Sequence, residues 1–514
     1  MPSESSNRRL VKNTLFLYFR MFLTLGVSLY TSRVVLNVLG IEDYGLYNVI
    51  GGVVAMLSFL NGALSGATSR FLSYELGKEN KNSLKETFET IFSIHIIFAI
   101  IVAVVLEIVG CWFVANKLII PDGRLPTAFF VFHFSVAACV IHLIRLPFHA
   151  AIISHERMNA FAYISIFDVV MKLLIVCLLQ VVDYDKLQTY AILVFVIDLL
   201  SSFLFIGFAM KNFSECRSRF KIDKTIAKPV LSFSGWDLYG NISVVVRSHG
   251  LNILQNTFFG TVINAATGVS NQVLTAIMGF AENFLVAVKP QIIKSYAANE
   301  IERFKKLVIN SSKYCTLLLF LISFPVLLEA RFILKIWLVK VPDYAVVFCQ
   351  LAIVNNWISI MFRPVIFGVH ATGNAKRISL INGTIYLSVL PLSYMLLKLG
   401  GSPVVPFILN IVLLFVGQTF FSLGTFKRYV PEFSIKEFIF QSMVKCLGIG
   451  ALAALIPILL HYHLNEGLFR FFICTFSSVV LTCSLIYFLG VEKKDKENLL
   501  NYFKAKILKK RTCT

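Results

Sequence analysis

The sequence predicts an all-α integral membrane protein, a bundle of about 14 transmembrane helices, and three observations predict it. Of its 514 residues 57% are hydrophobic and 15% charged, with a mean hydropathy of +0.76, whereas an ordinary soluble domain carries about 45–50% apolar and about 25% charged residues. The apolar residues fall in runs of roughly 20 to 28, the length a helix needs to cross about 30 Å of hydrocarbon at about 1.5 Å per residue. The 48 Lys and Arg residues behind the net charge of +20 collect on alternate loops, which points to membrane topology and not to nucleic acid. A membrane β-barrel would show about 10-residue segments of alternating polarity, and none occurs.

Apolar runs bounded by charges, Gly and Pro place spans at 14–39, 44–70, 88–113, 126–147, 160–182, 187–210, 230–257, 261–288, 310–330, 343–368, 378–397, 402–426, 437–461 and 467–490. With the N-terminus in the cytoplasm, 34 basic residues fall on that side, including six in 289–313, Arg363 and eight in the tail from 491. Only 7 fall on the other side (Lys117, Arg124, Lys186, Arg331, Lys335, Lys340 and Lys398). This positive-inside split predicts both termini in the cytoplasm. The start, MPSESSNRR, precedes a run too long for a signal-peptide core, so the first span reads as a retained anchor. The basic tail reads as a topology anchor on the anionic leaflet. Loops of two dozen residues at most are too short for a packed soluble domain. Cys111, Cys139, Cys177, Cys483 and the other cysteines show no C-x-x-C or Cys/His spacing, and His95, His133, His142 and His249 share no ligand spacing. No metal and no cofactor is expected.

An internal repeat divides the chain. LNVLG at 36–40 pairs with LNILQ at 251–255, an offset of 215, and SYELGKEN at 73–80 pairs with SYAANE at 295–300, an offset of 222. An even number of crossings separates the copies, so two lobes in the same orientation are expected, with a path between them.

The opening NTLFLYFRMFLTLGVSLYTSRVVLNVLGIEDYGLYNVIGG and the following SGATSRFLSYELGK resemble the start of polysaccharide (O-antigen, Wzx-like) flippases. These belong to the superfamily of multidrug, oligosaccharidyl-lipid and polysaccharide exporters. The resemblance implies two six-helix lobes, 1–210 and 229–426, joined by a basic cytoplasmic linker at 211–228. Two extra helices at 437–490 and a cytoplasmic tail at 491–514 follow. It implies a transporter, not an enzyme, in the bacterial cytoplasmic membrane, moving undecaprenyl-diphosphate-linked oligosaccharide for cell-surface polysaccharide and lipopolysaccharide synthesis. Its partners would be the lipid-linked sugar, membrane lipids, a coupling H+ or Na+, and other polysaccharide-assembly proteins.

Ionisable residues at a helix centre cost about 2.5–3.5 kcal/mol on insertion scales, so each needs a reason. A diphosphate leaving water needs charge-assisted hydrogen bonds, for which the forked guanidinium is suited; Arg20, Arg33 and Arg247 are the expected contacts. Arg20 and Arg33 lie some 140° apart on the first helix, so both meet one cavity only with a kink, expected near Gly26. On the eighth helix Asn264, Asn271, Thr275 and Glu282 are spaced 7, 4 and 7 and form one polar stripe. The seventh adds Asp237, Asn241, Arg247, Ser248, Asn252 and Gln255. Both are expected to line a cavity. Asp168 and Lys172, one turn apart, are expected to form a structural pair. Asp198 has no local basic partner; it and Glu282 are the candidates for ion coupling. Lys445 and Arg470 are expected to snorkel to an interface, and Arg70 to anchor to lipid phosphates or admit the headgroup. Gly51, Gly52, Ala55, Gly62 and Gly66 point to close helix packing.

Two other classes remain to be weighed. A cation-coupled multidrug exporter would need an acidic cavity, and the intramembrane acids are few, chiefly Glu107, Asp168, Asp198 and Glu282. A membrane polymerase or glycosyltransferase would need acid/base residues on a sizeable outer loop. The only paired carboxylates outside the membrane on that side are Glu42, Asp43 and Asp183, Asp185.

Overall fold

The computed structural model describes residues 2–55, 58–116, 118, 120, 123–180, 184–217, 219–338 and 341–491. The tail from 492, Lys117, Asp183, Lys340 and the side chain of Arg33 lie outside the described residues. Helix α1 (Pro2–Ala55) holds the first span and the start of the second, and α2 (Ser58–Gly77) completes the second. There follow α3 (Lys81–Asn116), α4 (Leu125–Ser154), α5 (Met158–Leu178), α6 (Lys186–Asn212), α7 (Lys224–Phe259), α8 (Thr261–Ala297), α9 (Ile301–Leu328), α10 (Ala345–Ala371), α11 (Ala375–Lys398), α12 (Val405–Tyr429), α13 (Ile435–His463) and α14 (Leu468–Gly490). Among the described residues 11 helices are long and apolar enough to cross a membrane. The other three predicted spans, the first, second and seventh, are helical wherever described. Side-chain acceptors start several helices where the sequence offers Asn or Asp: Asn80 caps α3 through Ser83 N at 3.1 Å, and Asp185 caps α6 through Leu187 N at 3.0 Å.

The break expected near Gly26 is not there. α1 runs through Gly26 and is interrupted at Gly40 (φ 80°, ψ 171°), a conformation that costs a side-chain-bearing residue dearly. The same conformation recurs at Gly260 (φ 78°, ψ −170°), between α7 and α8. Other left-handed positions recur in the same way: Glu79 with Asn299 after α2 and α8, Gly123 with Tyr344 before α4 and α10, and Glu156 with Gly373 after α4 and α10. These pairs lie 217 to 221 residues apart. The register of 215 read from LNVLG and LNILQ is therefore corrected, since Gly40 corresponds to Gly260 and not to Gln255.

Helices α1–α6 pack on one another, as do α7–α12, and α13 and α14 lie against α9. The two halves meet mainly through α1 and α2 on one side and α7 and α8 on the other. The Gly77 contact lies at the end of the bundle that carries Asn13 and Glu300, and the others lie further along the helices, to mid-helix at Asn241. Gly77 is so close to α8 that a Cβ there would stand 2.7 Å from Lys294 O. A Cβ on Gly66 would stand 2.6 Å from an Asp237 carboxylate oxygen, and one on Gly62 would stand 3.3 Å from Asn241 Oδ1. Small residues on α2 thus admit polar side chains of α7.

Helices outrun the predicted spans at this end. α8 continues to Ala297 and α9 begins at Ile301, so Lys289 and Lys294, read as loop residues, are helical. Arg363, likewise counted with the loops, lies inside α10. Hydropathy windows end where charge begins, whereas backbone hydrogen bonding continues through it. Arg70 does not reach lipid: it is buried, stacked on Phe71 and Tyr74 at 4.5 and 4.6 Å, and it donates to His370 O and Ala371 O at the end of α10, both at 3.2 Å. Arg470 does not snorkel either; it is buried against Glu329 at 2.9 Å.

Candidate functional site

The face of α8 that meets α1 is set by two contacts near mid-helix. Arg20 Nη2 donates to Asn283 Oδ1 at 3.0 Å, and Met21 packs on Gly279. At about 100° per residue, Ala276, Gln272 and Ala265 continue this α8 face outward, and all three are exposed. Opposite them, Leu25 and Ser28 continue the α1 face and are exposed too. The two faces are thus in contact where Arg20 meets Asn283 and Met21 meets Gly279, and are exposed toward their Gly40 and Gly260 ends.

Charges collect near this contact. Arg20 stacks on Phe161 of α5 at 4.5 Å, and its Nε is buried with no hydrogen-bond partner among the described residues. Glu282, adjacent to Asn283, accepts from Arg363 Nη2 at 2.9 Å, both side chains being 41% exposed. Lys289 lies within electrostatic range of Asp237, Arg363 and Glu282, with its Nζ 5.4 Å from the Phe367 ring. Two cations (Lys289 and Arg363) thus lie among two carboxylates (Asp237 and Glu282). Arg20, held by Asn283 and Phe161 with no carboxylate against it among the described residues, is the added cation, and low dielectric strengthens its attraction for an anion.

The predicted residues separate into groups. Asn271 and Thr275 are exposed on α8, whereas Asn264 donates to Asn252 O at 3.2 Å and ties α8 to α7. The predicted stripe is offset by one residue, about 100°, from the line that meets α1, so it turns toward the C-terminal half, where Glu282 finds Arg363. Asn241 donates to Asp237 O at 2.8 Å beside Gly62, and Ser248 is exposed on α7. Arg247 is not brought to Arg20. It donates to Asn410 Oδ1 at 2.5 Å and stacks over Tyr386 at 4.9 Å, while Asn410 donates to Asn355 Oδ1 at 2.7 Å. This network belongs to the interior of the C-terminal half, and Arg247 Nε there has no partner among the described residues.

A second charged cluster fills the N-terminal half. Lys172 Nζ sits 3.2 Å from Asp168 and 2.9 Å from Asp198, and His142 Nε2 lies 3.5 Å from the other oxygen of Asp198. Arg145 joins through His142 Nδ1 at 2.7 Å and stacks over Phe205. Asp198 and His142 border a cavity of about 340 Å³, which Tyr47, Asn61 and Ser135 also line. Asp198 receives its basic partner, Lys172, from α5.

Sequence reasoning missed Asn283, Lys289 and Arg363. The signal for Lys289 was present: it extends the stripe 264, 271, 275, 282 by a further 7, but lay past the end assigned to the span. Outside the membrane, Arg124 bridges Asp43 and Asp185. Partial desolvation acts to raise the Asp185 pKa, but N–H donation from Gln188 and Leu187 and the Arg124 guanidinium outweigh it and hold the carboxyl below its usual range.

No family model matches the chain and no curated protein matches it. Solved structures do. A multidrug resistance MATE family transporter of the MOP superfamily, in its outward-facing conformation, is similar at TM-score 0.70 and 12% identity over 83% of this chain and 96% of that one. A MATE transporter in the bent conformation matches at TM-score 0.69 and 11% identity, over 84% and 96%. A MOP superfamily transporter from Pyrococcus furiosus, for which reverse polarity of the binding pocket suggests a different function, matches at TM-score 0.64 and 13% identity, over 83% and 96%. At these identities the likeness shows the fold. The chain is a multi-pass membrane protein with the all-α fold of MOP superfamily transporters.

Proposed function

We propose that this protein is a flippase that carries undecaprenyl-diphosphate-linked oligosaccharide from the cytoplasmic to the outer leaflet of the bacterial cytoplasmic membrane by alternating access, with both termini cytoplasmic. The observation that carries the reading is Arg20 at the contact between the two lobes, its buried Nε without a hydrogen-bond partner among the described residues, with Lys289 and Arg363 on the facing half. A diphosphate entering there would exchange water for guanidinium and ammonium donors. The sugar would pass through a polar cleft while the lipid tail stays in the bilayer between the lobes, 1–210 and 229–426. Arg33 and Arg247 are kept as contacts at other stages of transit, Arg247 through its network with Asn410.

Coupling to H+ or Na+ is assigned to Asp198 in preference to Glu282. Asp198 borders a cavity beside His142, an imidazole able to carry a proton, whereas Glu282 is held by Arg363. The exporter of cationic drugs is disfavoured by the same pairing, because each of these carboxylates already faces a cation. The test is accumulation of undecaprenyl-diphosphate-linked oligosaccharide on the cytoplasmic leaflet of cells lacking the protein. Rescue is expected with wild type and not with well-expressed Arg20→Ala or Arg363→Ala. Normal flipping without the protein would overturn the reading.

A further inference from the structure

Three helices converge at the far end of the bundle, away from the contact between α1 and α8. Glu329 follows α9, His461 lies near the end of α13, and Cys474 lies two turns into α14. The Glu329 carboxylate is fully buried, with Oε1 2.8 Å from His461 Nδ1 and Oε2 2.9 Å from Arg470 Nη2. Cys474 is buried, and its Sγ has the Pro457 carbonyl at 3.7 Å as a weak acceptor. One atom each from Glu329, His461 and Cys474 lie within 4.8 Å of one another. Tetrahedral zinc, with bonds of about 2.0–2.3 Å, holds its donors roughly 3.3–3.8 Å apart, so a small inward movement of the side chains suffices.

We propose that Glu329, His461 and Cys474 form a Zn2+ site that staples the last two helices to the C-terminal half at the far membrane interface. Carboxylate, imidazole and thiolate together match a borderline-soft divalent ion. Arg470 keeps the second carboxylate oxygen and so orients Glu329, the role such partners play around bound metals. On binding, the Cys474 thiol proton leaves to solvent and His461 coordinates through Nδ1 with its proton on Nε2; a water completes the fourth position. His461 is a quarter exposed, which gives the ion a path inward. A second group, Glu107, Cys111 and His133, has similar donors, but Glu107 and His133 are 41% and 52% exposed beside the outward-facing Ile108 and Trp112, with no enclosing walls. The sequence hid the first site because its members lie 132 and 13 residues apart.

Full-length protein, purified in detergent and stripped with chelator, would be titrated with Zn2+ alone and with Co2+ as a spectroscopic probe. Wild type is expected to bind one equivalent tightly, to gain thermal stability from Zn2+, and to show thiolate-to-cobalt absorption. Cys474→Ser is expected to lose that absorption and His461→Gln to weaken binding at least about tenfold, while Cys111→Ser retains both. Either variant's apo melting curve confirms folding, so failure of one leaves the other as the test. No stoichiometric binding by wild type, or an unchanged cobalt spectrum in Cys474→Ser, would overturn the proposal and leave an ion-paired latch.

Discussion

The two halves of this protein both bury charge, and they balance it differently. In the N-terminal half Lys172 lies between Asp168 and Asp198, and Arg145 and His142 close the group, so each carboxylate has a cation at hand. Where the halves meet, Lys289 and Arg363 offset Asp237 and Glu282, and Arg20 adds a cation with no carboxylate against it and a donor without a partner among the described residues. A balanced cluster is fitted to hold a conformation. An unbalanced one is fitted to receive a counter-charge from outside.

The comparison is broken most severely by removing the excess. Arg363→Gln or Lys289→Met is expected to cut transport roughly 10- to 150-fold, the equivalent of a charge-assisted hydrogen bond of about 1.5–3 kcal/mol. Transport per molecule of folded protein in reconstituted vesicles checks this, and equal rates would place the substrate elsewhere. Disturbing the balanced cluster should act on coupling instead. Asp198→Asn is expected to abolish dependence on the ion gradient while substrate still binds, and to lower the melting temperature because Lys172 loses a partner. Adding Lys172→Met should recover the melting temperature, since an uncompensated charge costs more than a missing pair.

A third change separates the halves without touching charge. Gly77→Val drives a side chain into the α8 backbone at Lys294, so hydrogen exchange over 291–297 should rise several-fold as this end of the bundle opens. The smallest effect is expected far from both clusters. Arg124→Gln leaves the bridged Asp43 and Asp185 partly solvated and should lower the melting temperature by about 2 °C or less near neutral pH. The Asp185 carboxyl is lowered in the fold, so its contribution is present above the unfolded carboxyl value of about 3.9 and is lost as pH falls below it. The deficit of Arg124→Gln should therefore shrink in acid.

The helices were legible from hydropathy because a span in lipid must satisfy its backbone internally and show an apolar exterior. Polar side chains were legible in kind but not in direction. The α8 stripe turned out to lie one residue from the line that meets α1, and Arg247 donates to Asn410 within the C-terminal half. Lys289 and Arg363 were hidden by the same rule that found the spans, since basic residues near a span end count as loop. Tertiary pairings such as Lys172 with Asp198, Arg70 with the end of α10, or Glu329 with His461 and Arg470 depend on which helices become neighbours. One sequence carries little of that information.

The most direct measurement is the rate at which undecaprenyl-diphosphate-linked oligosaccharide crosses the bilayer of vesicles holding the purified protein, wild type against Lys289→Met/Arg363→Gln. The account predicts transfer by wild type and its loss in the double variant, with folding intact. Equal transfer by both, or no transfer by wild type while a cationic dye is carried, would contradict it.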